Sequence, residues 1–230
     1  MQTVLLYDID GTLVTTAGAA RQALLDVAMA RFGDISGFDF GFGGMTDRGI
    51  LRRGLHAVGV ELDEALFTAV LDDYLGCLAG CLQRAAVHKL LPGAEAMVHA
   101  SVGWAGVANG LGTGNIEAGA RLKLAKFSVD ALLPFGGFGC DAEDRAGLIA
   151  VGKARGAARL GVNIDDVHLV IVGDTPFDVE AARANGGVTL AVASGGATRQ
   201  ALVEAGAEVV VDSLDDAGAL GALARLCRRV

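Results

Sequence analysis

The sequence predicts an α/β fold, a doubly wound parallel sheet with an inserted α-helical segment. Three observations predict it. Short apolar runs alternate with helix-length amphipathic stretches along the chain. Several apolar runs end at once in Gly, Asp or Thr. A long helical stretch is interposed between the first two strands.

The elements follow in order. Val4–Tyr7 is a buried strand that runs into the turn Asp8-Ile9-Asp10-Gly11-Thr12. Ala17 to about Phe32 has helical spacing, and Gly33–Gly44 is glycine-rich with Phe38, Phe40 and Phe42 alternating. Asp47–Val58 and Asp63–Leu90 read as two more helices, the second capped by Asp63. Pro92-Gly93 breaks the pattern. Helix-like sequence to about Val102 precedes a strand near Trp104–Leu111, then Gly112-Thr113-Gly114-Asn115 and a helix through Leu124. A short strand near Phe135–Gly139 and a helix from Glu143 to Leu160 come next. Val167–Val172 is the clearest strand, ended by Gly173-Asp174-Thr175-Pro176. A helix over Asp178–Ala184 and strands near Val188–Ala193 and Glu208–Val211 complete the series, for a sheet of five or six strands.

Composition narrows the function. A chain of 230 residues buries roughly 70–75% of its unfolded surface and folds without disulfide or metal. Nineteen basic against 27 acidic residues give a net charge of −8, which argues against nucleic acid or an anionic membrane as partner. Cys77 and Cys81 lie one helical turn apart without the further ligands a zinc site needs, so the four cysteines read as thiols of a reducing cytosol. The N-terminus lacks the pattern of a signal peptide, and no run of 18 apolar residues predicts a membrane span. A cytoplasmic protein is expected.

Ligands of open parallel sheets bind beyond the carboxyl ends of the strands. Three such ends here carry Asp8/Asp10, Thr113/Asn115 and Asp174/Asp178. Asp8 and Asp10 point to one side of an extended segment. At about 4 Å, like charges repel by roughly 4 kcal/mol at an effective dielectric of 20. A hard cation would relieve that repulsion. Asp174 offers a third oxygen ligand, and Asp178, one turn on, can hold the ligand set in place. Either motif alone is commonly a solvated turn or a helix cap; both at strand ends in one α/β pattern favour a site.

These motifs resemble those of the haloacid dehalogenase (HAD) superfamily. Asp8-Ile9-Asp10-Gly11-Thr12-Leu13 is similar to its first motif, Leu111-Gly112-Thr113-Gly114-Asn115 to its second, and Val172 to Val179 to its last. The helical insertion resembles the cap of the phosphoglycolate phosphatase and β-phosphoglucomutase branch. The resemblance implies a HAD-like Rossmannoid core over residues 1–14 and 91–230, with a helical cap over 15–90. It implies a Mg2+-dependent phosphatase on a small phosphorylated metabolite, with Asp8 as nucleophile forming an aspartyl phosphate and Asp10 as acid–base. Asp8, the Asp10 carbonyl and Asp174 would hold the metal, and Gly11, Thr113, Gly114 and Asn115 the phosphate. Asp10 favours C–O–P chemistry, because dehalogenases and phosphonate cleavers of the family lack an acid there.

The family's third motif, a Lys-Pro, is missing. Arg145 is the nearest match and Lys123 the runner-up, while Lys153 lies deep in its helix. Gly147 to Lys153 mimics a phosphate-binding loop, but Ala154 stands where Ser or Thr is needed and the segment is helical. Gly137-Phe138-Gly139 mimics a dinucleotide fingerprint without its acidic partner. On the cap, Thr46, Arg48 and Arg21 are candidate substrate contacts, with a plain helix cap and solvated arginines as the bland alternative. A sugar phosphomutase and a catalytically silent binding protein are the rival readings. The specific ester and the oligomeric state are not legible.

Overall fold

The computed structural model describes residues 2–228. Its strands are β1 (Gln2–Tyr7), β2 (Val14–Thr15), β3 (Lys89–Leu90), β4 (Val107–Gly112), β5 (Gly136–Gly137), β6 (Val167–Gly173), β7 (Val188–Val192) and β8 (Val209–Val211). Its α-helices are α1 (Ala19–Phe32), α2 (Asp47–Ala57), α3 (Glu64–Arg84), α4 (Ala94–Val102), α5 (Glu117–Leu124), α6 (Arg145–Leu160), α7 (Pro176–Ala184), α8 (Arg199–Ala205) and α9 (Ala219–Cys227).

Six strands form one parallel sheet in the order β5-β4-β1-β6-β7-β8. The α/β class and the parallel sheet expected from the sequence are therefore found. Strand β1 is central, and Val4, Leu5, Leu6 and Tyr7 are wholly buried. Successive residues feed opposite faces. Leu5 and Tyr7 pack in a cluster with Met97 and Val98 of α4 and Leu223 and Leu226 of α9. Val4 and Leu6 pack with Leu148 and Ile149 of α6 and Ala181 and Ala182 of α7. Burial on both faces explains why β1 and β6 read as continuous apolar runs.

The chain adds β4 and β5 on one side of β1, then β6, β7 and β8 on the other. The sheet order thus reverses around β1, and the carboxyl ends of β4, β1 and β6 lie side by side.

Helices α1, α2 and α3 fall between β1 and β4 in sequence and share a separate apolar cluster. Leu24 and Val27 of α1 meet Phe67, Val70, Tyr74 and Leu78 of α3, with Phe38 and Leu51 and Leu55 of α2 completing it. Thr46 caps α2 and Asp63 caps α3 through their side chains. Helix α3 ends at Arg84 rather than continuing to Leu90. Residues Lys89–Leu90 instead pair antiparallel with Val14–Thr15, forming a two-stranded ribbon where the helical segment leaves and rejoins the sheet. By length and composition alone α3 could cross a membrane. Counting unbroken apolar runs does not register this, because Asp72 and Asp73 interrupt it. Here its face packs on α1.

Strand β5 is only two glycines, shorter than the expected Phe135–Gly139. The chain turns at Phe138, whose N–H donates to Asp141 Oδ2 and whose carbonyl accepts from the Asp141 N–H, and close approach by α6 requires the glycines. A Cβ on Gly137 would lie 1.8 Å from the Leu148 carbonyl oxygen, and one on Gly152 would lie 2.9 Å from the Gly137 nitrogen. Bare backbone at both positions lets α6 seat against the sheet, and α6 starts with Arg145. Gly137→Ala should destabilise the fold by about 1–3 kcal/mol through overpacking, lowering the melting temperature by about 2–4 °C per kcal/mol for a chain of this size. Gly76→Ala, in an exposed turn of α3 with open space around it, should instead gain up to about 1 kcal/mol. Thermal melts of the two variants check the contrast.

Candidate active site

The site is built where β1, β4 and β6 end. The Asp8 nitrogen still donates to the Val172 carbonyl at 2.9 Å, so the sheet ladder fixes Asp8. A tight turn follows, with the Leu13 and Val14 nitrogens donating back to the Ile9 carbonyl. Gly11 sits in the left-handed region at φ 83°. A Cβ there would lie 2.4 Å from Asp174 Oδ2, and one on Gly195 would lie 1.6 Å from the same oxygen. Glycine on both sides is what gives the Asp174 carboxylate its room. Thr12 Oγ1 donates to Asp174 Oδ1 at 3.1 Å.

Asp8, Asp174 and Asp178 are all buried, and each offers a carboxylate oxygen within 4.8 Å of the others. One cation faces them. Arg145 donates from Nε at 2.8 Å and Nη2 at 2.5 Å to Asp178 Oδ1, and its Nη2 lies 3.1 Å from Asp8 Oδ1. It occupies the first position of α6, capped by Asp144. Asp178 is fixed in turn by a capping box, accepting from the Thr175 nitrogen at 3.0 Å and hydroxyl at 2.7 Å. Of the two candidates for the missing third-motif base, Arg145 is therefore the one beside Asp8.

The charges do not balance. Burial pushes the Asp174 carboxyl up to about 8, and the neighbouring Asp8 and Asp178 add to the shift. Burial likewise raises Asp8 to about 6, with Arg145 pulling down and Asp178 and Asp10 pushing up. Burial works against the Arg145 charge, yet Asp178 and Asp8 outweigh it and hold its pKa above the ordinary arginine value. Fully ionised, three buried carboxylates against one guanidinium would carry two uncompensated negative charges; unless a cation is bound, burial and this repulsion push the pKa values of Asp8 and Asp174 up. A divalent ion with a preference for hard oxygen donors fits that deficit.

A second cluster adjoins the first. Lys123 Nζ reaches Asp10 Oδ2 at 2.6 Å and Asn115 Oδ1 at 2.6 Å. Asn115 Nδ2 donates to the same Asp10 oxygen at 2.7 Å and to Thr113 Oγ1 at 2.8 Å. Asp10 Oδ2 is thus held twice. Burial acts to raise the Asp10 pKa, but Lys123 and Asn115 outweigh it and hold the group below the usual carboxylate value. The sequence left Lys123 without a partner; its partner is Asp10, not the Asp8 cluster.

A cavity of about 590 Å³ opens onto both clusters. Asp8, Asp10, Gly11, Thr113, Gly114, Asn115, Lys123, Arg145 and Asp174 line one side, and residues of α1, α2, α3 and the segment Gly41–Met45 line the other. That segment is tied down over the strand ends. The Asp47 nitrogen donates to the Gly114 carbonyl, and Asp47 Oδ2 accepts from the Ile116 nitrogen, both at 2.8 Å. Arg145 Nη1 also reaches the Gly44 carbonyl at 3.3 Å.

The three expected cap contacts divide. Arg21 lines the cavity, but its guanidinium donates to the Phe40 and Phe38 carbonyls and stacks 4.0 Å above the Phe42 ring. Thr46 does not line it: the hydroxyl caps α2 and donates to the Glu143 carbonyl. Arg48 does not line it either, because it pairs with Glu64 and stacks 3.8 Å over Phe67. Asp47 is the cavity-lining acid that sequence reading missed. An acid opening a helix reads as a cap, and only the tertiary contact with Gly114 and Ile116 distinguishes it. Burial raises its pKa to about 6, against the pull of Lys123 and the Ile116 N–H.

A parallel sheet with an acid cluster at the ends of β1 and β6, and a helical insertion after β1, defines the HAD-like hydrolase fold. The comparisons agree. Residues 151–217 match the HAD-hydrolase-like family model. The structure is similar to a predicted phosphatase from Clostridium acetobutylicum (19% identity, 98% of this chain and 100% of that one, TM-score 0.69). It is similar to a predicted phosphoglycolate phosphatase from Haemophilus somnus (16%, 94% and 96%, TM-score 0.65). It is also similar to β-phosphoglucomutase from Clostridium difficile (17%, 94% and 92%, TM-score 0.70). No curated protein matches the sequence.

Mg2+ at about 100 times its dissociation constant should stabilise the native protein by about 2.7 kcal/mol. The corresponding rise in melting temperature should be absent in Asp174→Asn, and differential scanning fluorimetry with and without Mg2+ reads both.

Proposed function

We propose that the protein is a Mg2+-dependent phosphomonoester hydrolase that acts on a small phosphorylated metabolite through an aspartyl phosphate on Asp8. One observation carries this reading: Asp8 lies 3.1 Å from a buried guanidinium and within 4.8 Å of two further carboxylates, while Asp10, two residues on, opens to the same cavity. The likeness to phosphatases and to the HAD-hydrolase-like model supports it. Residues 15–90 are proposed as a cap that excludes water from the phosphoenzyme. The four free thiols fit a cytoplasmic setting.

The chemistry asked of these residues is as follows. Asp8, Asp174 and the Asp10 main-chain carbonyl would hold Mg2+, which when bound screens the repulsion between a carboxylate and a phosphate dianion. Arg145 orients Asp8 and offers an N–H to a phosphoryl oxygen, and Asp178 holds Arg145 in place. Gly11, Thr113, Gly114 and Asn115 receive the remaining phosphoryl oxygens. An Asp8 carboxylate oxygen attacks phosphorus, and the bond to the leaving oxygen breaks. Asp10 gives that oxygen a proton from Oδ1, the oxygen that Lys123 and Asn115 leave free. In the resting site Lys123 keeps Asp10 ionised; a phosphate dianion arriving beside it favours the protonated form. The Asp10 carboxylate then takes a proton from water as that water attacks phosphorus. Inorganic phosphate leaves and Asp8 is restored.

A phosphomutase would return the phosphoryl group to a second hydroxyl, which calls for polar groups on the cap side of the cavity. That side supplies Thr15, Thr16, Asp47 and Tyr74 beside a larger apolar set of Leu24, Phe42, Met45 and Ile50, and its one cation, Arg21, is bound to main-chain carbonyls. A silent binding protein has no use for an undercompensated cluster of Asp8, Asp174 and Asp178.

Phosphate release from simple esters tests the proposal. Native protein should turn them over with Mg2+ and stop on chelation. Asp8→Asn should lose activity by about 10³-fold or more. Asp10→Asn should lose about 10²–10⁴-fold on an alkyl ester but far less on p-nitrophenyl phosphate, whose leaving group needs no proton. An Asp8→Asn protein as active as native would overturn the mechanism.

A further inference from the structure

We infer that the group esterified to phosphate in the substrate is uncharged and mainly apolar, not a carboxylate, a second phosphate or an amine. The inference rests on the phosphatase reading and adds the substrate class to it.

The part of the cavity wall supplied by residues 15–90 carries Leu24, Phe42, Met45 and Ile50, with Thr15, Thr16 and Tyr74 as its uncharged polar groups. A second anionic group is held most strongly by a cation with donors to spare, and among the described residues lining the cavity only Arg21, Lys123 and Arg145 are cations. Arg145 serves Asp178, Asp8 and the transferred phosphoryl group itself, which leaves it no donor for the esterified group, and Lys123 is committed to Asp10 and Asn115. Arg21 gives both terminal nitrogens to main-chain carbonyls of the phenylalanine-rich segment and lies on the Phe42 ring. Withdrawing it would strand those carbonyls.

Helix α2 offers no replacement. Arg48 pairs with Glu64, Arg52 with Glu143, and Arg53 stacks 4.1 Å over Phe40. The one ionisable group of α2 that does line the cavity is an acid, Asp47. A carboxylate or second phosphate would therefore meet repulsion from Asp47 and no answering charge. An amine would meet Asp47 too, but one Asp47 oxygen is bound to the Ile116 N–H, and the positive Lys123 lies close enough to act on the group. An apolar group needs none of these partners and gains from each carbon it buries.

The test uses the full chain with Mg2+ and matched monoesters: ethyl, butyl and hexyl phosphate, 2-phosphoglycolate and O-phosphoethanolamine, with p-nitrophenyl phosphate as a reference. Burial of about 0.8 kcal/mol per methylene converts to about a fourfold rise in kcat/KM per added carbon. We expect that rise from ethyl to butyl phosphate, chiefly in KM, and butyl phosphate at least about tenfold better than phosphoglycolate or phosphoethanolamine. Met45→Lys, which places a cation on the half-buried wall, should raise kcat/KM for phosphoglycolate about tenfold and lower it for butyl phosphate. Best turnover of phosphoglycolate or phosphoethanolamine, with no gain along the alkyl series, overturns the inference and leaves the phosphatase reading intact. If no ester, including p-nitrophenyl phosphate, is hydrolysed, the phosphatase reading fails. Calorimetry with the inert analogues butylphosphonate and phosphonoacetate then decides the cavity's preference by itself: tighter butylphosphonate binding supports an apolar subsite, and equal or weaker binding overturns it.

Discussion

Three acidic side chains are buried around a single guanidinium, and most of the architecture at the carboxyl ends of β1 and β6 serves to keep them there. Isolated, each buried carboxylate would take up a proton rather than stay charged. Arg145 offsets part of the repulsion between Asp8 and Asp178. It can do so because α6 begins at that residue, seated against β5 by the Gly137 and Gly152 approach. Asp178 stays in reach because the Thr175 capping box and Pro176 start α7 directly after β6. Asp174 keeps its carboxylate between Gly11 and Gly195, where any Cβ would collide. A charge deficit held open by backbone geometry is what a divalent cation would fill.

The helical insertion is coupled to that cluster through backbone rather than through flexible side chains. Gly114 lies so close to Met45 that a Cβ would sit 2.1 Å from its carbonyl oxygen. Asp47 bonds to the Gly114 and Ile116 main chain, and Arg145 reaches the Gly44 carbonyl. On the far side, His88 Nε2 lies 2.8 Å from the Lys123 carbonyl oxygen, so the returning stem of the insertion touches the helix that carries Lys123. Movement of the insertion would thus disturb both the loop of Thr113, Gly114 and Asn115 and the Asp10 pair.

Much of the fold was legible because both faces of the sheet are covered. Continuous apolar runs ending in Asp or Thr marked β1 and β6 plainly. The boundaries that shifted did so for tertiary reasons. The expected helix over Asp63–Leu90 stops at Arg84, since Lys89–Leu90 pairs with Val14–Thr15, a contact that local periodicity does not encode. Helix α7 opens at Pro176, two residues before Asp178, because proline suits the first helical turn. Helices α8 and α9 were not legible in the sequence; at seven and nine residues they are about two turns each, too short for a helical period to stand out beside their strands. At the candidate site, Asp8, Asp10, Asp174, Asp178 and Arg145 were named from motif spacing and converge in space. The partner of Lys123 was not legible, because the contact with Asp10 spans 113 positions. The roles of Arg21 and Arg48 were not legible either: a long side chain can stack on a nearby phenylalanine as readily as face a ligand, and no spacing rule decides which.

The central claim is that the charge deficit exists so that Asp8, and no other carboxylate of the cluster, bonds to phosphorus. Borohydride reduces an acyl phosphate to an alcohol, so quenching the protein during turnover marks the phosphorylated residue. Peptide mass spectrometry should then find homoserine at position 8 and unmodified aspartate at positions 10, 174 and 178. Steady turnover with homoserine at another of these positions, or at none, would contradict the account.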